Sequence, residues 1–307
     1  MRVLRGLEQV TDKKPCAVTI GSFDGVHLGH RKIIDRLKVT AAQHGLCTTM
    51  VTFYPHPRLI VHGGLQPVKL LTSQQEKLAL IEETGLDQVL IIPFDETFSK
   101  IDYRSFIRNI LVERLDAKKV VVGYDHSFGK NREGNFERLK KLSNEFGFSA
   151  EKVEPFKQKD ELVSSSRIRE LLKQGEVDKA AELLGRRYAL CGSVVYGSKR
   201  GRTLNFPTAN LKLDYENKLL PENGVYAVDV LHERNQYKGM LNIGFKPTFE
   251  TGQAFTIEVH ILEFNQNIYG DSLSIEFKKR LRSEKKFDSK EALMTQLEID
   301  KQLSLKL

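Results

Sequence analysis

Apolar residues in the first half of the chain fall into short runs separated by stretches of helical period. Runs at 16–20, 47–53, 88–94, 119–122 and 149–153 read as buried strands. Between them, residues 30–45 carry Ile33, Ile34, Leu37 and Ala41 at helical spacing. Residues 73–83 open with Ser73 and Glu76 at the spacing of a capping box. Residues 103–115 and 136–146 predict two more helices. This alternation predicts a mostly parallel sheet covered by helices. Beyond Tyr188 the pattern changes to short β-rich runs at 188–196, 225–231, 239–243, 255–262 and 272–277. Turn residues lie between them, which predicts a small antiparallel barrel or sandwich. An amphipathic helix at 288–305 closes the chain, with Ala292, Leu293, Leu297 and Leu303 on or near one face. The change of pattern predicts two domains, 1–186 and 187–307.

Composition narrows this picture. A chain of 307 residues, 40% hydrophobic and 29% charged, suits a soluble protein of two domains. The net charge of +8 comes from basic residues interleaved with acidic ones. No arginine-rich tail, helix-turn-helix, zinc finger or aromatic RNA-binding signature is present, so small anions are expected as partners and nucleic acid is not. Cys16, Cys47 and Cys191 are widely scattered and give no disulfide framework, which points to a reducing compartment. There is no signal-peptide pattern at Met1 and no apolar stretch of about 20 residues. The expectation is a cytoplasmic protein, free of the membrane, with room for weak self-association.

Chemistry concentrates first at Gly21-Ser22-Phe23-Asp24-Gly25-Val26-His27-Leu28-Gly29-His30, between the first buried run and the first helical pattern. Gly21 and Gly25 permit a tight turn and close approach of a ligand to the backbone. The helix start offers unpaired N–H groups and partial positive charge, which suits phosphate. His27 and His30, three apart, share a face on a helical first turn. Taken singly they read as solvated histidines, and a zinc pair would need further ligands that do not stand nearby. The combination resembles the signature of the nucleotidylyltransferase superfamily, in which such histidines stabilise the phosphates of a nucleoside triphosphate. Two more polar clusters, 52–57 and 123–129, also follow predicted strands, where ligands of open α/β sheets bind. Ser164-Ser165-Ser166-Arg167-Ile168-Arg169 opens a further helix. It reads either as a serine cap or as a phosphate site of hydroxyls, N–H groups and guanidinium forks.

The second half holds a glycine-rich basic loop at 192–202, which lacks the spacing of a P-loop. It can still wrap phosphate with backbone N–H groups and basic side chains. Thr208 and Asn210, two apart in extended chain, point the same way and carry oxygens suited to magnesium, or form an ordinary Pro-Thr turn. Glu258 lies within an apolar strand, as an exposed-face residue or as a general base.

Taken together, the segments 21–30, 52–57, 123–129, 164–169, 192–210, 224–226, 242–249 and 258–260 resemble the prokaryotic bifunctional riboflavin kinase/FMN adenylyltransferases (FAD synthetases) over nearly the whole chain. That resemblance implies a Rossmann-like nucleotidylyltransferase α/β domain followed by an antiparallel β-barrel riboflavin kinase domain with a C-terminal helix. It implies conversion of riboflavin and ATP to FMN in the second domain. FMN and a second ATP would then give FAD and diphosphate in the first, with magnesium required. His27 and His30 would stabilise phosphates. Gly21, Phe23, Asp24, Gly25, Asp125, Ser164, Ser165 and Arg169 would form the first nucleotide site. Gly192, Gly197, Lys199, Gly201, Arg202, Pro207, Thr208 and Asn210 would bind ATP and flavin, Thr208 and Asn210 holding magnesium. Glu258 would be the base for the ribityl hydroxyl. Ser22, His126 and Asn205 depart from the family pattern. Asn205 stands where glycine is usual, which raises the alternative of an adenylyltransferase whose barrel binds flavin but phosphorylates weakly or not at all. A flavin-responsive nucleic-acid regulator is the rival from another class, opposed by the lack of a reading helix.

Overall fold

Along strand β2 (Cys16–Ile20), Cys16, Val18 and Ile20 enter one apolar cluster and Ala17 enters another. A strand buried on both faces needs helices on both sides, and this one has them. In the computed structural model, which describes residues 1–61, 68–197, 206–248 and 252–307, six parallel strands form the first sheet. Their order is β1 (Arg2–Arg5), β4 (Gln88–Pro93), β3 (Cys47–Tyr54), β2, β5 (Ala117–Gly123) and β6 (Ser149–Val153). Helices α1 (Leu28–His44) and α3 (Gln74–Glu82) supply Ile34, Leu37, Ala41 and Ile81 to one face. Phe106, Ile107, Leu139 and Leu142 cover the other, from around α5 (Tyr103–Phe106) and from α6 (Phe136–Phe146). The short helices α2 (Pro57–Val61) and α4 (Glu96–Ser99) and the hairpin β7 (Lys157–Gln158) with β8 (Glu161–Leu162) complete this unit.

The expected capping box at Ser73 forms, with Ser73 Oγ accepting from Glu76 N and Ser73 N donating to the Glu76 carboxylate. The helix expected over 103–115 is instead α5 running into a π-helical turn, Ile107–Val112. Strand order reverses at β2, whose neighbours β3 and β5 lead to opposite edges. The crevice outside the carboxyl ends of strands at such a reversal is where these sheets bind ligands. The 21–30 and 123–129 segments both start there.

The second unit is a closed antiparallel barrel, in the order β10 (Ala209–Leu213), β13 (Gly252–Ile261), β12 (Asn235–Thr248), β11 (Gly224–His232), β14 (Ser272–Arg282) and β9 (Ala189–Val195). Tyr226, Val228, Leu241, Val259, Ile275 and Phe277 are buried in it. The two compact units are Met1–Ser165 and Ser166–Leu307. Helices α7 (Ser165–Lys173) and α8 (Val177–Leu184) thus group, apart from Ser165, with the barrel. Leu172 O accepts from Glu222 N at 2.9 Å, and Gly175 leaves room for the Arg280 side chain.

Helix α9 (Lys290–Lys306) packs on β11 and β12 by a face that includes the half-buried Leu293 and Leu297 of the expected set. Ala292 and Leu303 are exposed, and the most buried positions are Asp300 and Ser304. Asp300 sits at 1% side-chain exposure in a 2.8 Å ion pair with Arg282 Nη2 and accepts from Gln296 Nε2 at 2.9 Å. Breaking a buried ion pair by removing one partner costs about 3–5 kcal/mol. Asp300→Ala is therefore expected to lower the barrel's stability by about 3 kcal/mol in urea denaturation. A loss below about 1 kcal/mol would show that the pair is dispensable.

Candidate active sites

The turn after β2 is unusually constrained. Phe23 and Val26 have φ of 49° and 39°, the left-handed region that costs non-glycine residues most when they are β-branched or bulky. Both side chains are buried, which fixes them there. The Asp24 carboxylate accepts from Leu71 N, Thr72 N and Thr72 Oγ1 at 3.0–3.2 Å, and Gly25 N donates to Thr72 Oγ1 at 3.2 Å. The side chain of Asp24 therefore fastens the turn to the 71–72 backbone.

His27 is the N-cap of α1. Its Nδ1 accepts from His30 N at 3.3 Å, which places the proton of the neutral ring on Nε2. The two imidazoles stack with centroids 3.6 Å apart, and Phe23 meets His30 edge-on at 5.1 Å. A Cβ on Gly29 would lie 3.1 Å from the His27 ring, so a larger side chain there would crowd that imidazole. Ser165 Oγ donates to Asp24 O at 3.0 Å, which brings the first residue of α7 to the same turn. Arg169, one helical turn along α7, is 8% exposed.

At the end of β5, Asp125 is exposed and Gly123 leaves space for Ile33 and the Asp125 carboxylate. His126 stacks on Phe128 at 5.3 Å, and its Nε2 is buried without a hydrogen-bond partner among the described residues. Burial, with Arg132 adding repulsion, lowers its pKa to about 4, so the ring is neutral near pH 7. Nearer the turn lies a residue the sequence reading missed. Lys77, 5% exposed on α3, donates to Ser22 O at 3.3 Å and Thr52 Oγ1 at 3.1 Å. The available signal was a lysine one turn before Ile81 on the apolar face of its helix.

In the barrel, Thr208 Oγ1 donates to Glu258 Oε2 at 3.3 Å. Asn210 and Asn242, on the strands flanking β13, are both register partners of Glu258. Three of the expected residues or their neighbours thus cluster, and Asn242 joins them unforeseen as a site residue. A Cβ on Gly197 would fall 2.0 Å from Asn210 Nδ2, and one on Gly192 would fall 2.3 Å from Lys212 O. Pro207 O accepts from His260 Nδ1 at 2.7 Å, and Phe206 packs edge-on against that ring at 5.1 Å. Burial lowers the His260 pKa, partly offset by the Pro207 bond. Lys199, Gly201, Arg202 and Asn205 lie outside the described residues. The hydroxyl, amide oxygen and carboxylate of Thr208, Asn210 and Glu258 are hard donors that fit magnesium. No group of three or more His, Cys, Asp or Glu suited to a metal occurs among the described residues.

Comparison with known proteins matches each unit separately. Residues 9–167 match the family described as FAD synthetase, and residues 184–307 match riboflavin kinase. A bifunctional riboflavin kinase/FMN adenylyltransferase of Listeria monocytogenes is 39% identical over 285 residues, 93% of this chain and 90% of its own. That of Bacillus subtilis is 37% identical over 292 residues, 94% and 91% of the respective chains. A solved Streptococcus pneumoniae structure described as a macrolide-efflux protein superposes with a TM-score of 0.91 at 29% identity, covering 100% of both chains. Among the described residues of this chain, no helix is long and apolar enough to cross a membrane.

Proposed function

We infer how each site works from one premise: the chain belongs to the bifunctional riboflavin kinase/FMN adenylyltransferase family. It is a transferase that makes FMN from riboflavin and ATP, and FAD from FMN and ATP. The observation that carries this reading is the match of two families to two parts of the chain. We assign adenylyl transfer to residues 1–186 and the kinase to 187–307, a division of chemistry rather than of packing.

In the first site an FMN phosphate oxygen attacks the α-phosphorus of ATP, and the bond to the β-phosphate oxygen breaks. The attacker is already ionised, so the site needs donors and no protein nucleophile. His27, through Nε2, and His30 stabilise the charge that builds on the α-phosphate. The 21–25 backbone and Asp125 frame the nucleotide, while Ser164, Ser165 and Arg169 hold the triphosphate and the departing diphosphate.

In the second site the terminal ribityl hydroxyl attacks the γ-phosphorus and its proton passes to the Glu258 carboxylate. The γ-phosphoryl bond to ADP breaks. Gly192, Gly197, Lys199, Gly201, Arg202 and Pro207 shape the ATP and flavin surroundings. Thr208 and Asn210 would hold magnesium, which when bound neutralises phosphate charge. The free thiols of Cys16, Cys47 and Cys191 support a cytoplasmic location, and small molecules rather than nucleic acid or membrane are the partners.

The test is to incubate the purified chain with riboflavin, ATP and magnesium. FMN is expected first and FAD after it. Conversion of supplied FMN without conversion of riboflavin would leave the kinase inactive, and an unchanged mixture would end the reading.

A further inference from the structure

We propose that Lys77 is a positioning residue for adenylyl transfer, holding the 22–26 turn in the form that presents His27 and His30 to the nucleotide. The inference rests on the adenylyltransferase reading of the first site and names a residue beyond it. Two left-handed non-glycine residues, Phe23 and Val26, bracket Asp24 in this turn, and such strain persists only when its surroundings over-determine it. Asp24 fastens one side of the turn to Leu71 and Thr72. Lys77 fastens the other. Its Nζ donates to Ser22 O and to Thr52 Oγ1, and the Thr52 hydroxyl donates in turn to Ser22 O at 3.3 Å. The ammonium thereby ties the first residues of the turn to the carboxyl end of β3 and to α3.

Burying an ammonium group is costly unless it is hydrogen-bonded and faces opposite charge. The charged group facing it is Asp24 from the turn, whereas β3 presents only a hydroxyl and the turn a carbonyl. Glu76, on the same helix, is engaged by the Ser73 N–H. Burial lowers the Lys77 pKa to about 8 against this attraction from Asp24. In the unfolded chain a lysine stays charged to about pH 10.4. As pH rises through about 8 the folded protein therefore discharges Lys77 first. The two hydrogen bonds from Nζ then lose their charge assistance, and the strained turn is held less firmly.

The experiment follows both activities of the full-length chain from pH 7 to 10, for the wild type, Lys77→Arg and Lys77→Met. Kinase turnover in the same molecule is the internal reference. Wild-type FAD formation is expected to fall above about pH 8 relative to FMN formation. Lys77→Arg, which stays charged, should carry FAD formation about one pH unit further. Lys77→Met should lose about tenfold or more in FAD formation near neutral pH, since small misplacements of reacting groups are expensive. Its FMN formation should be unchanged. A Lys77→Arg profile superimposed on the wild type, or wild-type FAD formation by Lys77→Met, overturns the proposal. Should neither variant fold by circular dichroism, the wild type decides alone. An alkaline decline confined to FAD formation supports the proposal, and its absence overturns it. A wild type that makes no FAD from FMN ends the adenylyltransferase reading itself. Active wild type with indifferent variants ends only the role of Lys77.

Discussion

Replacing His30 by alanine is expected to cut FAD formation from FMN and ATP by about 10²–10³-fold while leaving FMN formation within about twofold, on the scale seen when one donor to a developing oxyanion is removed. The substitution is clean for a structural reason. The cap on α1 is the bond from the His30 backbone N–H to His27 Nδ1, and alanine keeps that N–H. What leaves is the imidazole, stacked at 3.6 Å on His27 and met edge-on by Phe23. His27→Ala would remove the cap as well, mixing a stability loss of about 1 kcal/mol with any loss of chemistry. The readout is chromatographic separation of riboflavin, FMN and FAD over time. Undiminished FAD formation by the folded alanine variant would remove His30 from the phosphate site.

Much of this arrangement was legible because it is periodic or local. Buried strands covered by helices announce themselves as apolar runs such as Ala17 to Ile20, and the Ser73–Glu76 spacing fixes its own cap. The carboxyl-end rule then draws the 21–30 and 123–129 segments together without any coordinates. What stayed hidden depends on partners distant in sequence. Strand β1 has only Val3 and Leu4 as apolar residues, and its place comes from pairing with β4. The buried face of α9 turns polar at Asp300, which hydropathy does not mark, and Arg282 together with Gln296 makes that burial tolerable. Lys77 reads as a surface lysine until Ser22, Asp24 and Thr52 surround it. Asn242 gains meaning only from the register that sets it beside Glu258. Pairing and compensation are properties of the folded chain, whereas periodicity is already a property of the string.

Glu258 supplies the opposite separation of activities. Glu258→Gln keeps the shape of the side chain and an oxygen to accept from Thr208, so β10 and β13 should stay in register. It removes the capacity to take a proton. General-base catalysis contributes about 10²–10⁴-fold, and FMN formation should fall by that factor while FAD formation from supplied FMN stays at the wild-type rate. Phosphoryl transfer relies mainly on positioning and charge stabilisation, so the size of the loss decides between two roles. A fall of about 10²-fold or more in kcat assigns Glu258 to the proton. A rise in KM for riboflavin with kcat intact would make it a binding residue that orients the ribityl chain. In that case the hydroxyl's proton leaves by another route, and the base is not in the Thr208, Asn210 and Glu258 cluster.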